Sequence, residues 1–247
     1  MSEPKRTAAL VGACGGAGAT RLAVEVAATL ARDGRSVALV DVAFVTQGLA
    51  DYVPGEVDPD VTAALADGAD LESVLSDLPV EAPGLVSAAP ARAPFERLAR
   101  AQTADAARSL SDLLSDAAER YDHVLVDASP VATNQAVAAV TEVDAVGVVA
   151  PASDRGANAV ARLRGRLADV GAGADLLVAN RSDGDDLDGR ADVVVPESEA
   201  TAAAVAAPAV LDPDDAFALA VAAVAEGLFD ASLSVSFPEE RLLERLR

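Results

Sequence analysis

Short runs of Val, Leu and Ala recur along the chain, separated by longer stretches in which apolar residues return every three or four positions. The first pattern is that of strands buried on both faces, and the second that of helices lying on a sheet. Their alternation predicts an α/β fold with a mostly parallel central sheet and helices on both faces. Strands are predicted at Thr7–Ala13, Ser36–Val42, Gly84–Ala89, His123–Ala128, Asp144–Pro151, Asp175–Asn180 and, shorter, Asp192–Val195. Helices are predicted over Thr20–Asp33, Asp60–Asp67, Asp70–Leu78, Ala104–Arg120, Asn134–Val140, Arg155–Val170 and Asp214–Phe229. Gly34 stops the first helix, and Leu110, Leu113 and Leu114 share one face of the fourth. The acidic Gly/Asp stretch Ser182–Arg190 reads as a loop. No internal repeat or linker divides the chain, so one domain is predicted over residues 1–229, with a tail over 230–247.

Composition narrows this picture. A chain of 247 residues suits a single core, since such cores hold together up to roughly 250 residues. Aromatics make up only 3% of it, so the core is built from small side chains. The formal net charge of −21 argues against a nucleic-acid partner, because that affinity comes from Lys and Arg neutralising phosphates. Isoleucine is absent and Lys5 is the only lysine, which points to a GC-rich genome; the acid excess points to a salt-rich cytoplasm, as in halophilic archaea. One cysteine, Cys14, and one histidine, His123, exclude an internal disulfide and the usual zinc clusters. Lys5 and Arg6 before an apolar stretch ending at Cys14 have the outline of a lipidated leader. That stretch barely reaches the roughly 7 residues a leader core needs and runs straight into a helix pattern, so a cytoplasmic protein is predicted.

The chemistry concentrates in Gly12-Ala13-Cys14-Gly15-Gly16-Ala17-Gly18-Ala19-Thr20, between the first strand and the first helix. A glycine-rich turn there brings backbone N–H groups close to phosphates, and the helix N-terminus adds partial positive charge. Taken alone, the loop fits two kinds of site. Gly12, Gly16 and Gly18 have the spacing of short-chain dehydrogenases, with Asp41 placed for a ribose hydroxyl. Those enzymes also need a tyrosine with a lysine four residues later; Tyr52 and Tyr121 are followed there by Glu56 and Leu125.

The second reading continues along the chain. Cys14-Gly15-Gly16-Ala17-Gly18-Ala19-Thr20 resembles the deviant Walker A loop, K-G-G-x-G-K-T, of the MinD/ParA family of P-loop ATPases. Leu39-Val40-Asp41 and then Gln47-Gly48-Leu49-Ala50 resemble its second strand and first switch segment. Tyr121-Asp122-His123-Val124-Leu125-Val126-Asp127 is similar to its Walker B strand, followed by Ala128-Ser129-Pro130. Ala150-Pro151, then Leu177-Val178-Ala179-Asn180-Arg181, then Val195-Pro196-Glu197 with Glu199-Ala200, and finally Pro208-Ala209-Val210 keep the family's order. Several weak motifs in correct order are more specific than any one of them. The resemblance implies a P-loop NTPase three-layer sandwich and a cytoplasmic homodimer that binds ATP with Mg²⁺. It further implies recruitment of a partner protein in the positioning of a cellular structure.

On this resemblance, Gly15, Gly16, Ala17, Gly18, Ala19, Thr20 and Arg21 would hold the nucleotide phosphates. Asn180, Arg181, Pro196 and Glu197 would frame the base, and Thr20, Asp41 and Asp127 would hold Mg²⁺ when Mg-nucleotide binds. Three departures bear on the chemistry. Cys14 stands where the family has its signature lysine, Ala19 where it has the loop lysine, and Ala43 where it has the aspartate that orients the attacking water. Phosphoryl transfer depends on positioning and charge stabilisation, so all three losses act on one step. The reading is a degenerate family member, a pseudo-ATPase scaffold with weak or absent ATP binding. A functional ATP-dependent MinD-type switch is the alternative, and a dehydrogenase-like dinucleotide binder trails both. In the tail, Leu242, Leu243 and Leu246 share a helical face whose arginines are offset by Glu239, Glu240 and Glu244. Three leucines supply roughly 5 kcal/mol at most, which is marginal membrane anchoring, so the tail is expected to pack on protein.

Overall fold

A computed structural model describes residues 5–184, 186–198 and 215–234. The predicted strands form β1 (Thr7–Gly12), β2 (Ser36–Asp41), β4 (Leu85–Ala89), β5 (His123–Ala128), β6 (Ala145–Pro151), β7 (Leu176–Ser182) and β8 (Val193–Pro196), with a two-residue β3 (Ser76–Asp77) before β4. They make one sheet of order β3-β4-β2-β5-β1-β6-β7-β8, parallel throughout except for the β3–β4 pair. The helices are α1 (Ala19–Arg32), α2 (Val61–Asp67), α3 (Leu71–Val74), α4 (Phe95–Ala101), α5 (Ala104–Arg120), α6 (Asn134–Thr141), α7 (Asp154–Asp169) and α8 (Asp215–Phe229).

Each central strand feeds two cores, because successive side chains point to opposite faces. Ala8 and Leu10 of β1 join Leu22, Val26 and Leu30 of α1 and Val221, Val224 and Leu228 of α8 on one face. Ala9 and Val11 join Leu110 and Leu114 of α5, Ala139 of α6 and Leu163 and Leu167 of α7 on the other. The many alanines let helices lie close on the sheet, and the low aromatic content leaves few bulky groups to stagger around. This is the predicted three-layer arrangement.

Two elements differ from the sequence pattern. The expected helix over Asp70–Leu78 stops at Val74, because Leu75 turns extended (ψ 139°) and Ser76 and Asp77 pair with Ala88 and Ser87. The Ser87 hydroxyl donates to Asp77 Oδ1 at 2.8 Å and fixes that edge. The helix α4 is not visible in the pattern because Pro90 and Pro94 lie just before it and read as a loop. Pro94 in fact starts it, with φ −65° and a carbonyl accepting from Arg97 and Leu98. After α8 the chain stays on the domain to residue 234: Asp230 pairs with Lys5 at 3.5 Å, and Ser234 donates to Asp33 from its backbone N at 2.8 Å. The motifs at Glu199-Ala200 and Pro208-Ala209-Val210, and the leucine-bearing tail Pro238–Arg247, lie outside the described residues.

Candidate functional site

The strand order places the C-terminal ends of β2, β5 and β1 side by side, so the glycine loop, Asp41 and Asp127 meet although they are far apart in sequence. In open parallel sheets this edge is where ligands bind. A cavity of about 380 Å³ opens there, walled by Gly12, the whole stretch from Cys14 to Arg21, the switch segment and the residues after β5. Cys14, Ala19 and Ala43, the three expected departures from the family pattern, all line it, as do Gly15, Gly16, Ala17, Gly18, Thr20, Asp127 and Arg181. Thr46, Asp51, Tyr52, Ser129 and Pro130 line it too and were not singled out in the sequence as ligand contacts. The 3-10 turn Gly48–Tyr52 brings Asp51 and Tyr52 there, with Gly48 backed against Thr20.

Loop geometry follows from its glycines. Gly16 and Gly18 take φ of +78° and +84°, a left-handed backbone in which a side chain is strained. A Cβ on Gly18 would also stand 2.5 Å from Asn180 Nδ2. That amide donates to the Ala17 carbonyl at 2.8 Å, and Asn180 Oδ1 accepts from the Arg181 N–H at 3.0 Å. Asn180 therefore ties β7 to the loop from behind. Gly18 caps α1 with no side-chain hydrogen bond, whereas α2, α5, α6 and α7 are capped by Asp60, Thr103, Thr133 and Ser153. The first turn of α1, Ala19 to Arg21, lines the cavity with no side chain capping it.

Two buried carboxylates face each other in register, Asp41 at the end of β2 and Asp127 in β5. Asp41 is wholly buried and accepts from Ala43 N at 2.8 Å and Ala91 N at 3.2 Å, so it stands behind the cavity wall and not in it. Burial, and then the neighbouring Asp127 charge, push its carboxyl well above the usual carboxylate range. Asp127 is 1% exposed and lines the cavity, and neither of its oxygens meets a hydrogen-bond donor of good geometry. Burial raises it too, while the nearby Thr20 side chain holds the rise in check. An orphaned buried carboxylate beside a hydroxyl in a walled cavity is a fitting donor pair for a hard divalent cation. Thr20 and Asp127 are the residues that could hold Mg²⁺ directly or through water.

Arg21, although it lines the cavity, is 8% exposed. Its Nη2 lies 2.5 Å from Glu25 Oε1 and its guanidinium 5.5 Å from the Tyr52 ring centre. Its charge is spent on that internal pair. Pro196 ends β8 and Glu197 follows, its N–H donating to the Ser182 carbonyl at 3.3 Å; neither lines the cavity. His123 is a buried strand-end residue tilted at 51° against the Phe229 ring, with centroids 4.5 Å apart; it does not line the cavity, and burial lowers its pKa.

The fold and the loop together define a nucleotide-binding P-loop architecture. A family model described as an AAA domain matches residues 5–172, and the chain belongs to that family. Among solved structures it is similar to the septum site-determining protein MinD complexed with Mg-ADP from Pyrococcus horikoshii, at 22% identity and TM-score 0.71 over 90% of this chain and 94% of that one. It is also similar to a ParA family ATPase from Chlorobium tepidum, at 21% identity and TM-score 0.73 over 90% and 98%. A chain of the MinC:MinD cell division protein complex from Aquifex aeolicus gives 19% identity and TM-score 0.72 over 94% and 98%. Its fold is therefore that of the MinD and ParA ATPases. No curated protein matches the chain in sequence. Among the described residues, no helix is long and apolar enough to cross a membrane.

Proposed function

We propose that this chain is a degenerate MinD/ParA-like protein: a cytoplasmic, homodimerising scaffold in intracellular positioning that recruits a partner protein, binds Mg-ATP weakly or not at all and does not hydrolyse it efficiently. The observation that carries the reading is the convergence of Cys14, Ala19 and Ala43 on one cavity whose remaining wall keeps the glycine loop, Thr20 and Asp127. The loop supplies backbone donors for phosphates, and Mg²⁺, if bound by Thr20 and Asp127, would neutralise phosphate charge. What the cavity lacks is the pair of lysines. A hydrogen bond to a charged group is worth about 1.5–3 kcal/mol, so two such losses remove roughly 3–6 kcal/mol, or about 10²–10⁴-fold in affinity. Ala43 offers no carboxylate at the position where the family orients the attacking water, so hydrolysis suffers more than binding. The MinC:MinD complex is a precedent, in a protein of the same fold, for a protein partner.

The test compares the parent chain with the Cys14→Lys/Ala19→Lys double variant in molar KCl with Mg²⁺. The parent is expected to turn over ATP no faster than a buffer blank, and calorimetry is expected to detect ATP tightly only with the double variant. Parent turnover that disappears in Asp127→Ala would overturn the pseudo-ATPase reading in favour of an ATP-driven switch.

A further inference from the structure

We infer that Arg181 is the phosphate anchor of this site, a cation delivered from β7 that takes over the charge the loop has lost at positions 14 and 19. The inference rests on the nucleotide reading of the cavity, whose orphaned buried Asp127 carboxylate independently points to a bound cation and its anion. Three observations carry it. First, the backbone is bent to aim this side chain. Arg181 has φ +55°, a conformation that costs a non-glycine residue about 1 kcal/mol or more, and it sits where the β7–β8 register slips between Asn180 and Ser182. Such bulges re-aim side chains beside functional sites. Second, the guanidinium lies along the loop: Nη1 is 3.4 Å from the Gly16 carbonyl, and Nε and Nη2 would each be 3.7 Å from a Cβ on Gly18. It is thus beside the backbone that would cradle phosphates. Third, among the described residues it is the cation at this cavity with no carboxylate partner. Arg21 is paired with Glu25, and Lys5 is engaged with Asp230 far from this edge. The contact Arg181 makes with the loop is a long hydrogen bond to a neutral carbonyl, easily exchanged for a charged oxygen.

A guanidinium suits this task. It presents paired N–H donors to two oxygens of one phosphate. The ligand class that follows is a di- or triphosphate whose phosphates lie in the loop, bridged by Arg181 on one side and by Thr20 and Asp127 on the other. Asn180, already spent on the Ala17 and Arg181 backbones, sets the direction of Arg181 as a positioning residue. The other large cavity, about 610 Å³ around Lys5, Arg6 and Asp144, carries no comparable feature. There the Asp144 carboxylate is filled by the Arg6 and Thr7 N–H groups and the Thr7 hydroxyl.

The experiment titrates the full chain with magnesium pyrophosphate, Mg-ADP and Mg-ATP by calorimetry over a range of KCl concentrations, after melting curves confirm that each variant is folded. Arg181→Gln keeps a donor for the Gly16 carbonyl but removes the charge, Arg181→Lys keeps the charge without the fork, and Arg162→Gln on exposed α7 is the control for net charge. Pyrophosphate affinity is expected to fall about 10- to 100-fold in Arg181→Gln, with a shallower salt dependence, partial recovery in Arg181→Lys and no change in Arg162→Gln. Equal affinity in Arg181→Gln, a loss with unchanged salt dependence, or no pyrophosphate binding by the parent would each overturn the assignment. Pyrophosphate binding that depends on Arg181 without any ADP or ATP binding would leave the assignment standing and remove the nucleotide reading. ATP binding indifferent to Arg181 would do the reverse.

Discussion

At the scale of single residues, the site is governed by how much charge it can tolerate. Asp41 and Asp127 are buried in register, and both are held above the ordinary carboxylate range, at about 8 and about 6, by burial, with Asp127 a second cause at Asp41. An unfolded aspartate titrates near 3.9, so between that pH and the folded values the native protein holds more protons than the unfolded chain. Stability must therefore fall as pH rises through this window, and the loss is complete above the folded value of Asp41. Asp127→Asn removes one of the two charges without breaking a well-formed hydrogen bond. In Mg²⁺-free buffer the variant is expected to match the parent near pH 4 and exceed it by roughly 1–3 kcal/mol at pH 8–9, measured by urea unfolding across pH. Adding Mg²⁺ at pH 8 should stabilise the parent and leave the variant unmoved. A parent whose stability is flat from pH 5 to 9 would show that the pair is not a strained charge site.

At the scale of elements, close approach decides which glycines matter. Gly156 lies in the first turn of α7 with an ordinary backbone, yet a Cβ on it would collide with the Pro151 carbonyl at the end of β6. Gly165, two turns further along the same helix, faces open space. Gly156→Ala is expected to destabilise the fold by about 1–3 kcal/mol or more, because helix and strand must be driven apart. Gly165→Ala is expected to stabilise it by up to about 1 kcal/mol through helix propensity alone. Chemical denaturation of the two variants checks the pair, and opposite signs are the diagnostic. The same contrast explains the sequence reading at this scale. Helices with clear apolar periodicity, such as α5 and α7, were legible to within a residue or two. The α3–β3 segment was not, because Ser76 and Asp77 become strand only by pairing with Ala88 and Ser87.

At the scale of the whole molecule, the net charge of −21 sets how the fold responds to its medium. The ion pairs on its surface, such as Arg120–Asp116 and Arg100–Asp67, are exposed and contribute little each. The surplus of carboxylates repels across the surface. Salt shortens the Debye length from about 10 Å at 0.1 M to about 3 Å at 1 M, which mutes that repulsion. The melting temperature is therefore expected to rise steadily between 0.1 M and 2 M KCl, read by calorimetry or circular dichroism. A fall over that range would mean that exposed ion pairs outweigh the repulsion. The same surplus charge opposes binding to a nucleic-acid backbone.

The sequence by itself determined the sheet-and-helix alternation, the glycine loop before α1, and the absence of lysine at positions 14 and 19. Each of these is a local property: periodicity, backbone permissiveness, or the identity of one residue. It also placed Asp41 and Asp127 at strand ends. Only the tertiary structure decided what those residues face. Strand order put Asp41 against Asp127 and left one behind the wall and the other open to the cavity. Packing turned Arg21 inward onto Glu25 and Tyr52, where its place in the first turn after Thr20 left either a phosphate contact or a solvated helix residue open. A slip in register at the edge of the sheet swung Arg181 over the loop, some 165 residues from Gly16 in sequence. Charge pairing and side-chain direction depend on neighbours brought together by chain crossovers, and no pattern along the chain encodes them.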